Sequence, residues 1–206
     1  MNVLSIGGSD PSSGAGIQSD VRTFTSLGVH GLTVVTAITS QNTVKFSKTE
    51  QVSSSMIKDQ LNAVFSDFTV DAIKIGMVYK SSVIKAIYSE LKNVKVPIIL
   101  DPVIRSTTNG SLIEKTALNA YKKLLLPLAF VITPNVSEAE KFTGFKILTK
   151  NDALKCALKI RELGAKNVVI TGNQFEKGRV DDFVLENTIH YSISGKKLQI
   201  VNHGSG

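Results

Sequence analysis

Short apolar runs of strand length alternate along the chain with stretches in which apolar residues recur every three or four positions, the pattern of repeated βαβ units. Strands are predicted near Val3–Ile6, Leu32–Ile38, Ala72–Ile75, Ile98–Leu100, Phe130–Ile132 and Val168–Ile170. Their unbroken β-branched content fits a largely parallel sheet buried on both faces. Helices are predicted between them. Ile17–Leu27 stops at Gly28, Met56–Phe65 follows the capping serines Ser53 to Ser55, and Val83, Ile84, Ile87 and Leu91 form one apolar stripe. Ala153, Leu154, Ala157, Leu158 and Ile160 form another, closed by Leu163-Gly164. Helices are therefore expected on both sides of the sheet, as in an α/β sandwich. After Gly172 the period changes to two, and Asp181–Leu185, Thr188–Ile193 and Leu198–Val201 predict an antiparallel meander at the sheet edge.

Composition narrows the class. With 206 residues, 42% of them hydrophobic, the chain can bury a full core, and the length favours a single domain. The start, MNVLSIGGSDPSS, has no basic segment before its short apolar run. A signal peptide or membrane span is not expected, and a soluble, cytoplasmic protein is. The single cysteine, Cys156, shares a helix face with Ala153 and Ile160 and reads as a core thiol. A net charge of +7 invites an anionic partner. Nucleic acid is disfavoured, because lysines dominate, most are scattered singly, and aromatic residues make up only 6% of the chain.

The candidate chemistry lies at the predicted carboxyl ends of the strands, where sheets of this kind bind ligands. The first strand runs into Gly7-Gly8-Ser9-Asp10-Pro11-Ser12-Ser13-Gly14-Ala15-Gly16, which fits neither the Walker spacing nor G-x-G-x-x-G. Thr39-Ser40-Gln41-Asn42-Thr43, Gly76-Met77, Asp101-Pro102-Val103, Thr133-Pro134-Asn135 and Thr171-Gly172-Asn173 follow the other strands. Each alone is compatible with a turn or a helix cap; together they describe a cleft along one edge. Asp101 is placed to hold Mg²⁺ or to cap a turn, and Glu138 sits in a first helical turn, where the helix dipole favours it with or without a metal. Gln41 offers a donor and an acceptor to a heterocycle edge, Met77 packs well on rings, and Asp20 can accept from a ligand or simply face solvent. The terminal Val201-Asn202-His203-Gly204-Ser205-Gly206 reads as the floor of an anion site.

Taken together, SIGGSDPSSGAGIQSD, TSQNT, KIGM, LDPV, ITPNVSEAE and HGSG resemble the hydroxymethylpyrimidine/phosphomethylpyrimidine kinases of thiamine biosynthesis, in the ribokinase-like superfamily. The likeness runs in order from residue 3 to residue 206. It implies a ribokinase-like three-layer α/β/α sandwich with a small antiparallel edge. It implies two ATP-dependent phosphorylations at one site, of 4-amino-5-hydroxymethyl-2-methylpyrimidine and then of its monophosphate. By the same likeness, Gly8, Asp20, Gln41, Met77 and Val103 line the pyrimidine pocket. Asn135, Thr171 and Gly172 serve ATP, Asp101 and Glu138 serve Mg²⁺, and Gly204, Ser205 and Gly206 cradle the transferred phosphoryl group. Homodimers are the family's usual state; neither a nucleic acid nor a membrane partner is expected.

Three positions depart from the family pattern. The terminal motif there continues into a cysteine, or into an aspartate elsewhere in the superfamily, that activates the accepting hydroxyl; here that residue and the helix after it would fall beyond Gly206. The 206 residues as given are thus expected to be a kinase domain cut short at its C-terminal end, one that binds pyrimidine and ATP but turns over poorly. Thr171-Gly172-Asn173 stands where KGG is common, and Asn202 where threonine is usual. Two rival functions share these features: a pyridoxal or pyridoxine kinase, and a pyrimidine-binding module without catalysis. Gln41-Asn42-Thr43 favours the aminopyrimidine.

Overall fold

The computed structural model describes residues 1–78, 80–103 and 115–198. Its elements follow the expected alternation. They are β1 (Asn2–Ser9), α1 (Gly16–Ser26), β2 (His30–Gln41), β3 (Phe46–Gln51), α2 (Ser54–Asp67), β4 (Ala72–Ile75), α3 (Ser81–Leu91) and β5 (Ile98–Leu100). Then come α4 (Lys115–Ala120), β6 (Val131–Ile132), α5 (Val136–Thr143), α6 (Lys150–Glu162), β7 (Asn167–Asn173), β8 (Arg179–Glu186) and β9 (Ile189–Lys196). Among the described residues the sheet has nine strands in the order β3-β2-β1-β4-β5-β6-β7-β8-β9. Strands β2, β1, β4, β5, β6 and β7 are parallel, and β3, β8 and β9 add antiparallel edges.

The chain steps one way from β1 to β2 and the other way from β4 through β5 and β6 to β7. Right-handed crossovers then put α1 on one face and the helices of the later crossovers on the other. The packing shows this. Ile57 and Leu61 of α2, Ile84 and Ile87 of α3, Phe142 of α5 and Ile160 of α6 form one buried core with Leu4, Ile73, Leu100, Ile132 and Val168 of the sheet. On the opposite face, Asp20 of α1 meets Ser5 and Lys74. The expected cover on both sides is therefore uneven: among the described residues α1 alone lies on that second face, packed on β1 and β2.

Other expectations are corrected in detail. Strand β3, FSKTEQ, was not anticipated: as a half-exposed edge strand it carries no apolar alternation to read. Thr39 to Gln41, expected beyond the second strand, lie inside β2. Leu158 is 36% exposed instead of joining the α6 stripe, whose core face is Ala153, Cys156, Ala157 and Ile160. Helix α4, continued by a π turn at Tyr121–Leu125 and a 3-10 turn at Leu126–Leu128, also went unpredicted. Of the predicted meander, β8 and β9 are present; its third segment falls mostly outside the described residues.

Cys156 is fully buried, with Sγ 3.3 Å from the Thr143 hydroxyl. Burial raises its thiol pKa, the Thr143 contact opposes this, and the Glu140 and Asp152 carboxylates add to the rise. It should remain an unreactive thiol in the native protein. Labelling by a soluble disulfide reagent at neutral pH should run at least about 100-fold slower than in denaturant; comparable rates would place the thiol at the surface.

Candidate active site

The direction of the crossovers reverses at β1, which has β2 on one side and β4 on the other. The carboxyl ends of the strands at such a point are where doubly wound sheets take their ligands. The first feature there is the glycine segment. Gly7 and Gly8 remain in β1, with a register shift against β2 between them. Beyond them the loop is built around Asp10, a buried residue the sequence did not single out. Its carboxylate accepts from Ser12 N–H (2.9 Å), Ser12 Oγ (2.7 Å) and Ala15 N–H (2.9 Å), and its own N–H donates to Gln18 Oε1 (2.9 Å). The segment is thus held from within by a carboxylate, as an Asx-type turn.

Gly8 is needed for close approach. A Cβ there would lie 2.8 Å from Met77 Sδ and 3.7 Å from the Ala37 carbonyl oxygen. Met77 and Ala37, with Phe46 and Val103 packed against them, form an apolar patch separate from the main core. The Thr36 hydroxyl donates to the Met77 carbonyl at 2.6 Å and fixes the turn after β4 against β2. Gln41 pairs with Phe46 across the β2–β3 register, which brings the residue beside this patch. The strand ends here therefore gather apolar side chains, a close backbone approach at Gly8 and an amide-bearing residue, a composition that suits a flat heterocycle. Gly8, Gln41, Met77 and Val103 come together as expected. Ala37 and Phe46 were missed, the latter because its strand was.

Gly8→Ala presses on the mobile end of a methionine, so the expected result is displacement of Met77 and not unfolding. The Kd of a pyrimidine alcohol should rise about tenfold by calorimetry while Tm moves by less than about 3 °C. Unchanged affinity would remove Met77 from the ligand's surroundings.

A second feature is an ionic cluster. Asp20 of α1 accepts from Ser5 Oγ (2.6 Å) and from Lys74 Nζ through both oxygens (3.0 and 3.1 Å). The same ammonium lies 3.3 Å from Asp101 Oδ2. Side-chain exposures of 23% for Lys74, 17% for Asp20 and 42% for Asp101 mark the last as the carboxylate open to ligand. Burial works to lower the Lys74 pKa, but Asp101 and then Asp20 outweigh it and hold it above the ordinary lysine value. Lys74 was also missed; its signal was a lone cation inside the apolar strand AIKI.

On the far side of Asp101, Asn135 caps α5 in a reciprocal box. Its N–H donates to Glu138 Oε2 (2.9 Å) and its Oδ1 accepts from Glu138 N–H (3.0 Å). Among the described residues the buried Tyr121 hydroxyl has no hydrogen-bond partner; its pKa is pushed up by burial first, then by the Asp101 and Glu138 carboxylates. Asn135 bridges to Thr171 of β7, whose N–H donates to Pro134. The Gly172 N–H is taken by Asp182 Oδ1 at 3.0 Å. Gly204, Ser205 and Gly206 lie outside the described residues.

The donors suit a hard divalent cation. Asp101 and Glu138 offer carboxylate oxygens, and both push up the pKa of the buried Tyr121 hydroxyl. Among the described residues no group of three or more acidic, histidine or cysteine side chains forms a full protein cage. Mg²⁺ is commonly held in this way, by one or two carboxylates, water and substrate phosphates. No helix among the described residues is long and apolar enough to cross a membrane.

A mostly parallel sheet with antiparallel edges and a switch point at β1 is that of the ribokinase-like kinases. The comparisons agree. The sequence profile of the phosphomethylpyrimidine kinase family matches residues 10–206. The bifunctional thiamine-biosynthesis protein of Geobacter sulfurreducens is 37% identical over the whole chain, which spans 42% of that protein. The crystal structure of phosphomethylpyrimidine kinase from Clostridium difficile 630 superposes with a TM-score of 0.86 at 38% identity, over 93% of this chain and 83% of that one. Pyridoxal kinase from Staphylococcus aureus, solved with AMP-PCP and pyridoxal, has a TM-score of 0.86 at 30% identity, over 97% of this chain and 72% of its own. The chain belongs to the phosphomethylpyrimidine kinase family.

Proposed function

We propose that this protein uses ATP to phosphorylate 4-amino-5-hydroxymethyl-2-methylpyrimidine and then its monophosphate, in thiamine biosynthesis. The observation that carries this reading is the grouping at the switch point of Ala37, Phe46, Met77 and Val103 as apolar side chains, with Gly8 in close approach to Met77 and Gln41 beside Phe46. A planar ring with hydrogen-bonding edges fits that grouping, and its hydroxymethyl group would point toward the ionic cluster.

On this reading Asp20 lies on the pyrimidine side. Asp101 and Glu138 hold Mg²⁺, which supplies charge neutralisation to the phosphates when bound. Asn135, Thr171 and Gly172 face the nucleotide, Gly172 through its surroundings, since its own N–H is engaged by Asp182. Gly204, Ser205 and Gly206 serve as the anion cradle, within one kinase domain that pairs as a homodimer. Phosphoryl transfer needs positioning and charge stabilisation more than covalent chemistry, and these are the parts such a site requires. The net charge of +7 suits a second substrate that already bears a phosphate.

Pyridoxal phosphorylation is the second reading, because a pyridoxal kinase shares the architecture. Competition separates the two. With the full-length protein and Mg·ATP, equal concentrations of the pyrimidine alcohol and pyridoxal should give ADP formation coupled mainly to the pyrimidine. Preferential consumption of pyridoxal would transfer the assignment, and tight pyrimidine binding without ADP formation would favour a binding module.

A further inference from the structure

We infer that Lys74 is a positioning residue that couples the two halves of the site, holding the ring-side carboxylate Asp20 and the nucleotide-side carboxylate Asp101 on one shared ammonium. The inference rests on the kinase reading above and deepens it. Three facts carry it. Lys74 sits on β4 at the switch point, on the face opposite the main core, with its Nζ 3.0 and 3.1 Å from the two oxygens of Asp20 and 3.3 Å from Asp101 Oδ2. The backbone leaves room for that reach, since a Cβ on Gly76 would lie 3.3 Å from the same nitrogen. Asp20 is oriented independently by the Ser5 hydroxyl at 2.6 Å, so it faces Lys74 in one fixed pose.

The charged groups that reach Lys74 come from α1, as Asp20, and from the end of β5, as Asp101; β1 contributes the neutral Ser5. An ammonium has three donors, and here two carboxylates share them. With Lys74 the trio carries one net negative charge, and without it two like charges would share the site. Asp101, once engaged by a divalent cation, draws less on the ammonium, which then serves Asp20 more fully. Filling the nucleotide side should therefore tighten the ring side, and linkage makes the effect reciprocal.

The measurement is the coupling itself. Calorimetry on the full-length protein gives the Kd of the pyrimidine alcohol with and without saturating Mg·ADP. The wild type should show about fivefold tighter binding with Mg·ADP present, and Lys74→Met should abolish that factor. The same substitution should lower kcat/KM on the order of 100-fold, as when one member of a half-buried charge pair is truncated. Lys74→Gln, which keeps an N–H donor one bond short of the lysine nitrogen and carries no charge, should behave the same way while melting close to wild type; Lys74→Arg should recover part of the coupling. A substituted protein that melts normally and keeps the coupling would overturn the inference. A wild type that neither binds the pyrimidine alcohol nor turns over ATP would instead overturn the kinase reading.

Discussion

Gly16→Ala should be among the most damaging single-methyl changes at the described glycines. Gly16 begins α1 at φ +63°, and a Cβ there would lie 2.4 Å from the Gly8 carbonyl oxygen and 3.2 Å from the Asp10 nitrogen. The left-handed conformation costs an alanine about 1 kcal/mol. The larger cost is that the obstacle is backbone, which cannot rotate away as the Met77 side chain can in Gly8→Ala. Relief requires the end of β1 to move from the N-terminus of α1, and that movement opens the hydrogen bonds gathered on Asp10. We expect a loss of about 3 kcal/mol or more, seen as a fall in Tm of roughly 6–12 °C. The affinity for the pyrimidine alcohol should fall at least about 100-fold, because Gly8 is part of the displaced strand. A melting curve and a titration check both; a variant with wild-type Tm and affinity would mean that the loop is not packed on β1 as described.

Asp101→Asn should leave the fold intact and remove most of the activity. The side chain is 42% exposed and its pairing with Lys74 is solvent-screened, so less than about 1 kcal/mol of stability is at stake. The amide keeps the shape but loses the charge that a divalent cation requires. Metal-assisted charge stabilisation is worth several kcal/mol, so kcat/KM should drop by about 10² to 10³-fold with Tm almost unchanged. The required Mg²⁺ concentration should rise with it. A variant with undiminished kcat at wild-type Mg²⁺ levels would take Asp101 out of the metal's reach and leave it only as a partner of Lys74.

The two substitutions also show what could be read from residue order alone. The buried parallel strands were legible because strands covered on both sides leave unbroken apolar runs, and Ala72–Ile75 and Ile98–Leu100 begin and end where the sequence places them. Once those strands are parallel, their carboxyl ends must share an edge, so Gly8, Met77, Asp101, Asn135 and Thr171 could be assigned to one cleft without coordinates. The rest was illegible for definite reasons. Edge strand β3 is selected for polarity, so Phe46, packed against Ala37 and Met77, looked like a loop residue. Asp10 acts through backbone N–H groups, which residue types do not reveal. The role of Lys74 depends on α1 and β5 approaching β4 from positions 54 residues before it and 27 residues after it, which only the sheet order specifies. Glu138 was placed correctly in a first helical turn, yet the reciprocal cap with Asn135 shows that the helix itself uses both residues.

The most direct test is product analysis by mass spectrometry, with the full-length protein, Mg·ATP and 4-amino-5-hydroxymethyl-2-methylpyrimidine followed over time. The proposed function predicts a pyrimidine monophosphate that rises and then falls as the diphosphate accumulates, with ADP matching the phosphoryl groups transferred. Absence of any phosphorylated pyrimidine under conditions where the protein is folded and binds nucleotide would contradict it.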